Sequence, residues 1–234
     1  MTFRIEPEIF DTFPGMNIVT VIARDIDNQT LKQVIVDELH EAWQYAGQQA
    51  RAYGNAQSHP NITPWGEHMK KVGVNRKNFP SSIEAMLRRA RKGGPPMSIN
   101  PLVDFYNAIS LKYLVPAGGF DIDVLRHEML LRYSRTGDRF RSFDAPEAIL
   151  VEAGEFSYAS ESDILTRHFI WRQSDRGLIQ PETKSVLLVS EILGELSIDL
   201  ADIILHAFLE GMAVHFGVKA TGKILNAKDY ELEG

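Results

Sequence analysis

The residues best suited to recognising a small polar molecule lie in one run of the chain, Asn100 to Asp121, NPLVDFYNAISLKYLVPAGGFD. Within it Asn107 offers both an amide and a carbonyl. Helical spacing puts Asn107 on one face with Val103 and Ser110, whose hydroxyl adds another donor and acceptor. Gly118 and Gly119 read as a double-glycine turn, where backbone can approach a ligand and expose N–H donors that a side chain would block. These groups suit an amino acid or a ribose hydroxyl. They also have plain structural uses, since an asparagine can satisfy nearby backbone and paired glycines make ordinary turns. Tyr106 and Trp171 can stack on a base or an aromatic amino acid, although such residues more often fill a core.

Further along, the run TRHFIWRQSD (Thr166 to Asp175) reads as a strand to Trp171, with His168, Ile170 and Arg172 on one face and Arg167, Phe169 and Trp171 on the other. Arg172 can hold a carboxylate or phosphate with both arms of its fork, or pair with an internal acid such as Asp104 or Glu155. Asp121 reads as an anchor for the turn, and Asp104 also as structural. Ester hydrolysis would need a positioned water and donors facing the developing oxyanion. Glycine N–H groups and Asn107 are candidates, but no general base is evident, so catalytic residues stay unassigned.

Lys70, Lys71, Arg76, Lys77, Arg88, Arg89, Arg91 and Lys92 form a basic cluster opposed only by Glu84, suited to phosphate. Cations are equally favoured at the C-terminal end of a helix that touches no phosphate. A net charge of −6 argues against strong nonspecific nucleic-acid binding, so any RNA contact must be local.

Familiar catalytic signatures fail. Four residues after His40 comes Gln44, and four after His127 comes Leu131, so neither His-Glu pair completes a zinc-protease helix. Gly217, Gly222 and Lys223 have phosphate-loop spacing, yet Ile224 replaces the required hydroxyl. Histidines at 40, 59, 68, 127, 168, 206 and 215 are scattered, and no serine sits in a nucleophile elbow. With no cysteine there is no disulfide, thiolate nucleophile or cysteine-ligated zinc, and no metal or cofactor is expected. The opening MTFRIEPEIFDTFPG does not read as a signal peptide, and no stretch has the ~18 apolar residues of a membrane span, so a cytoplasmic protein without membrane contact is expected.

The elements that must position these residues are readable from spacing. A strand is predicted over Met16–Ile26 and an amphipathic helix over Thr30–Tyr53, with Leu31, Ile35, Leu39, Ala42 and Ala46 inward. A short helix over Trp65–Lys71 interrupts a long connection from Gly54 to Pro80. Ser81 and Glu84 have capping-box spacing before a helix that Gly93-Gly94 and Pro95-Pro96 stop. Asn100 caps the next helix and Pro101 occupies its first position, with Leu102, Phe105 and Ile109 as apolar stripe. Strands follow at His127–Ser134, Ala148–Val151, Thr166–Trp171 and Ser185–Val189. A last helix, Asp199–Phe216, has Leu200, Ile203, Ile204, Ala207 and Phe208 inward, and the polar tail after Asn226 frays.

The pieces Val103-Asp104, Asn107, Pro116, Phe120-Asp121, Met129 to Tyr133, Gly137-Asp138 and Phe143-Asp144 together resemble the B3/B4 domain of the phenylalanyl-tRNA synthetase beta subunit and the free-standing proteins built from it. The resemblance spans roughly Arg89 to Val189, taken as the family core, about 89–189. It implies an α+β fold, expected here as a single domain over 1–234 with a mostly antiparallel sheet flanked by helices. In the synthetase that domain hydrolyses tyrosine mischarged onto the phenylalanine tRNA, so the resemblance implies a tRNA or aminoacyl-tRNA end as partner. Tyr106 stands where the family has threonine, Gly118 where it has histidine, and Val189 near the place of a pocket glutamate. The resemblance therefore implies RNA binding, with trans-editing deacylation left open. The alternative is a module for an amino-acid-like small molecule without RNA contact. No ATP site or complete ligase is implied.

Overall fold

The computed structural model describes residues 1–125 and 128–234; of the strand predicted from His127, that first residue lies outside the described residues. In chain order the elements are β1 (Thr2–Ile5), α1 (Glu8–Thr12), β2 (Asn17–Ala23), α2 (Gln33–Ala52), α3 (Thr63–Lys71), α4 (Ser82–Lys92), α5 (Pro101–Tyr113), β3 (Ala117–Asp121) and β4 (Glu128–Tyr133). Next come β5 (Arg139–Phe140), β6 (Ile149–Leu150), β7 (Phe156–Ser160), β8 (Asp163–Ile164), β9 (Thr166–Arg167), β10 (Arg172–Gln173) and β11 (Val186–Ile192). The chain finishes with α6 (Leu200–Phe216), β12 (Thr221–Leu225) and β13 (Glu231–Glu233).

The strands form a seven-stranded sheet ordered β13-β1-β4-β7-β8-β5-β6, a four-stranded sheet ordered β12-β2-β11-β3, and the β9-β10 hairpin. Among the described residues only β1–β4 and β5–β8 pair in parallel, so the fold is α+β with mostly antiparallel sheets. The layering follows from strand alternation. Val19, Val21, Val186 and Leu188 of the four-stranded sheet pack with Leu102, Phe105, Tyr106, Ile204, Phe208 and Met212 of α5 and α6. Ile18, Ile22, Leu187 and Val189 point the other way, to Phe3, Ile5, Met129, Leu131, Phe156 and Tyr158 of the large sheet. With both faces covered, β11 is buried along its whole length and shows no polar alternation. Outside α5 lies a small-residue layer in which Leu39, Ala42 and Ala46 of α2 meet Leu87 and Ala90 of α4 and Ala108 and Leu111 of α5.

Three sequence expectations change. Leu31 is 68% exposed because α2 starts only at Gln33, and Ile203 is 45% exposed because the inward face of α6 runs through Ala201, Ile204, Phe208, Met212 and Phe216. The tail after Asn226 does not fray: β13 pairs with β1, and β12 joins β2. The strand predicted over Thr166–Trp171 is a hairpin. Its turn runs from His168 to Trp171, with His168 (φ 46°) and Phe169 (φ 66°) both left-handed, which ends the extended backbone that alternation requires. Phe169 is thereby driven fully into the aromatic core, 5.5 Å from the Phe13 ring and 5.7 Å from Tyr158.

Candidate functional site

Helix α5 is set by its ends. Asn100 Oδ1 accepts from the Val103 N–H at 3.0 Å, and Pro101 sits in the first turn, as the sequence predicts. Asp104 accepts from Ser98 Oγ and the Ile99 N–H, so it holds the entering chain. At the other end Leu114 takes the left-handed conformation (φ 56°) that usually calls for glycine. Ser110 supports it: its carbonyl accepts from the Val115 N–H, and its hydroxyl donates to the Val115 carbonyl at 2.5 Å. Ser110 is fully buried, and its hydroxyl is committed to closing the helix.

Asn107 differs. It is half-buried, and its side chain makes no hydrogen bond among the described residues. Next to it, Tyr106 is buried, and desolvation, aided by the Asp104 charge, raises its phenol well above the ordinary value, keeping it neutral. The Tyr106 ring meets Gly119.

Gly118 and Gly119 lie in edge strand β3, contrary to the predicted turn, and pair with Val189 and Leu188 of β11. Neither glycine has a positive φ. A Cβ on Gly119 would stand 3.1 Å from Leu188 Cδ2 and 3.4 Å from Tyr106 Cε1, so this glycine serves close approach. A Cβ on Gly118 would meet nothing within 4 Å, leaving an open, half-exposed position on the opposite sheet face. Gln173 Nε2 donates to the Gly119 carbonyl at 2.9 Å, and the Asp121 N–H donates to Gly177 O at 2.9 Å, so odd-numbered residues of β3 turn their polar groups outward. The Gly119 N–H projects from that edge and meets no acceptor among the described residues. Asp121 anchors as expected, accepting from the Asp123 N–H and Thr183 Oγ1.

The structure thus brings Tyr106, Gly119 and Gln173 together, with Asn107 and Gly118 as neighbours in sequence. Gln173 was missed because the straight strand made Arg172 the residue of interest. Arg172 instead donates to both oxygens of Asp144, at 2.8 and 2.7 Å, and lies 6.0 Å from the exposed Phe143 ring. Neither Asp104 nor Glu155 is its partner. Glu155 takes Arg167 bidentately and the His168 N–H at 2.7 Å. His168 packs 4.0 Å from the Phe79 ring and 5.8 Å from half-buried Trp171. Burial lowers its pKa, against the pull of the Glu155 carboxylate.

The basic cluster divides. Arg76 donates to Glu84 Oε2 from Nε (3.0 Å) and Nη2 (2.7 Å), and Arg88 pairs with the other oxygen of the same carboxylate, which is only 2% exposed. Glu84 therefore does not close a capping box: Ser81 Oγ accepts its N–H at 3.3 Å, but its carboxylate turns to the arginines and to Gln57. Lys70, Lys71, Lys77, Arg89, Arg91 and Lys92 are exposed and form no ion pair among the described residues.

Glu191 on β11 is 3% exposed and accepts a hydrogen bond from Tyr158 Oη at 2.6 Å between the two sheets. Desolvation raises its pKa to about 7, although the Tyr158 bond pulls it down.

A family model described as the B3/4 domain matches residues 64–205, more than half of the chain. The chain belongs to the B3/4 domain family. Among solved structures, an N-terminal fragment of the phenylalanyl-tRNA synthetase beta-subunit from Pyrococcus horikoshii is similar at 11% identity and a TM-score of 0.46, over 93% of this chain and 49% of that one. The chain thus spans about half the length of that fragment. No curated protein matches it. Among the described residues, no helix is long and apolar enough to cross a membrane.

Proposed function

We propose that this chain binds the end of a tRNA or aminoacyl-tRNA, with the amino-acid or ribose moiety held at the edge of β3. The observation that carries the reading is Asn107: a half-buried amide without a protein partner among the described residues, on the helix of a B3/4 domain, next to a tyrosine packed against Gly119 of the edge strand β3. The Gly119 N–H and the Asn107 amide supply donors, and Gln173 fixes the edge by holding the Gly119 carbonyl beside that N–H. Exposed Arg89, Arg91 and Lys92 at the end of α4, with Lys70, Lys71 and Lys77, supply phosphate contacts. Arg76 and Arg88 support this surface by fixing α4 through Glu84. Hydrolysis of the ester is the further step of this reading, and it takes a positioned water. The single-domain organisation over residues 1–234 is part of the same proposal.

A second reading, an amino-acid-like ligand without RNA, draws on the net charge of −6 and on the ion pairs that occupy Arg76, Arg88 and Arg172. Binding and deacylation of correctly charged and mischarged tRNAs at two salt concentrations separates the two. For RNA, replacing Arg89, Arg91 and Lys92 with alanine lowers the slope of log affinity against log salt by about 2, and N107A removes discrimination among amino acids. Salt-independent binding of free amino acid with no tRNA binding would establish the second reading.

A further inference from the structure

A cavity of about 740 Å³ opens between α2, α5 and α6. It contains none of the residues that the sequence offered for binding a ligand or phosphate. Asn107 lies on the other side of α5, since the cavity takes Phe105, Ala108, Ile109 and Lys112, which share the opposite helix face. Its floor is apolar and closely built. Gly211 of α6 stands so near Phe105 that a Cβ would fall 2.2 Å from the ring, so α6 rests on α5 through bare backbone.

The walls carry an excess of negative charge. Glu38 and Glu41 of α2 face the cavity together with Glu210 of α6, against Lys112 and His215. Glu41 and Glu210 are exposed and have no ion-pair partner among the described residues. Lys112 Nζ is already placed 5.5 Å from the Tyr113 ring centroid, so an aromatic face on this rim receives a cation.

An acidic wall alone is a solvated surface. His215 is the independent observation. Its side chain is only 10% exposed, it lines the cavity with its ring edge-on to Phe105 at 5.8 Å, and its Nε2 stands 3.2 Å from Glu38 Oε2. Its Nδ1 is buried and has no hydrogen-bond partner. A buried imidazole left half-satisfied beside a carboxylate marks a wall built for a polar ligand.

We propose that this cavity binds an organic ammonium ion, its charge among Glu38, Glu41 and Glu210 and its apolar or aromatic body on Phe105 and Ile109. This site is separate from the edge of β3 and does not rest on the tRNA reading. Carboxylates around an apolar floor favour such a cation over an anion of the same shape, which would meet like charge.

The probe is 2-phenylethylammonium, compared with 2-phenylethanol and 3-phenylpropionate, titrated into the full chain with calorimetry and aromatic NMR. Saturable binding of the ammonium with shifts in Tyr45, Tyr113 and His215 is expected, at least tenfold tighter than the alcohol, with no binding of the carboxylate. The E41Q/E210Q variant, altered only at exposed positions, should keep its melting temperature and lose about tenfold in affinity, while N107A should bind the probe normally. No saturable binding, equal binding of the alcohol, or an unchanged affinity in E41Q/E210Q would overturn the proposal. Loss of probe binding in N107A would overturn it too, by moving the amine to the β3 edge.

Discussion

Two glutamates are buried to nearly the same extent in different layers, and their surroundings give them opposite roles. Glu84, in the helical layer, meets two guanidinium groups and a glutamine amide, so its charge is neutralised in place. Glu191, between the sheets, meets one phenol and otherwise aromatic and aliphatic side chains, so burial favours its neutral form. Burial sets the demand on a polar group; the partners available in each layer determine how it is met. The same distinction runs along α5, where Ser110 is committed and Asn107 is not.

The strongest way to break this comparison is to remove Glu84. E84A should destabilise the protein by about 3 kcal/mol, measured by urea unfolding, because it leaves Arg76 and Arg88 against the α3–α4 junction without their shared acceptor. A much smaller loss would mean that water already serves both arginines.

Glu191 sharpens the comparison through pH. Its native pKa is raised from 4.5 to about 7, so the folded state holds the proton more tightly than the unfolded chain. The resulting stabilisation is complete below about pH 4.5 and is lost as pH rises through about 7. At ~1.4 kcal/mol per pH unit this amounts to on the order of 3 kcal/mol. Subtracting the stability–pH curve of E191Q from that of the native chain should isolate this decline. Parallel curves would place a charged, water-solvated carboxylate between the sheets.

Smaller effects are expected on the helix that links the layers. S110A should cost about 1–2 kcal/mol, since the Val115 carbonyl would lose its buried donor, and substituting glycine for left-handed Leu114 should recover part of it. R172A should cost less than about 1 kcal/mol, because Arg172 and Asp144 are both substantially exposed. N107A should change stability by under ~0.5 kcal/mol while altering ligand binding, which would set a binding residue apart from a structural one.

What could be read from the sequence was what local chemistry determines. Asn100, Pro101 and Gly93 mark helix ends through bonds made within a few residues, and β11 announces itself as an apolar run. The hairpin at His168–Trp171 was hidden because its turn uses two non-glycine residues in left-handed conformations, held by Glu155 and by the core around Phe169. Gly118-Gly119 misled for a related reason: paired glycines suggest a turn, but here they thin a strand so that Tyr106 can lie against it. The basic cluster was visible as charge, while its division into anchored and exposed members depends on how deeply Glu84 is buried. The family pattern fell on α5 and on the segment that forms β3, without showing that segment to be a strand, and gave no sign of the cavity on the opposite face of α5.

The seven-stranded sheet sets β1, from residues 2–5, between β4 and β13, from residues 231–233. Neither edge of β1 can be paired without closing a loop of more than a hundred residues, so this end of the sheet cannot form locally, unlike the β7–β8 hairpin. Helices α2, α4 and α5, joined by shorter connections, can associate first, and the large sheet should close in a slower, separate phase. Until then the aromatic side chains destined for the space between the sheets remain open to other chains, so yield on refolding should fall with protein concentration even where the native state is stable.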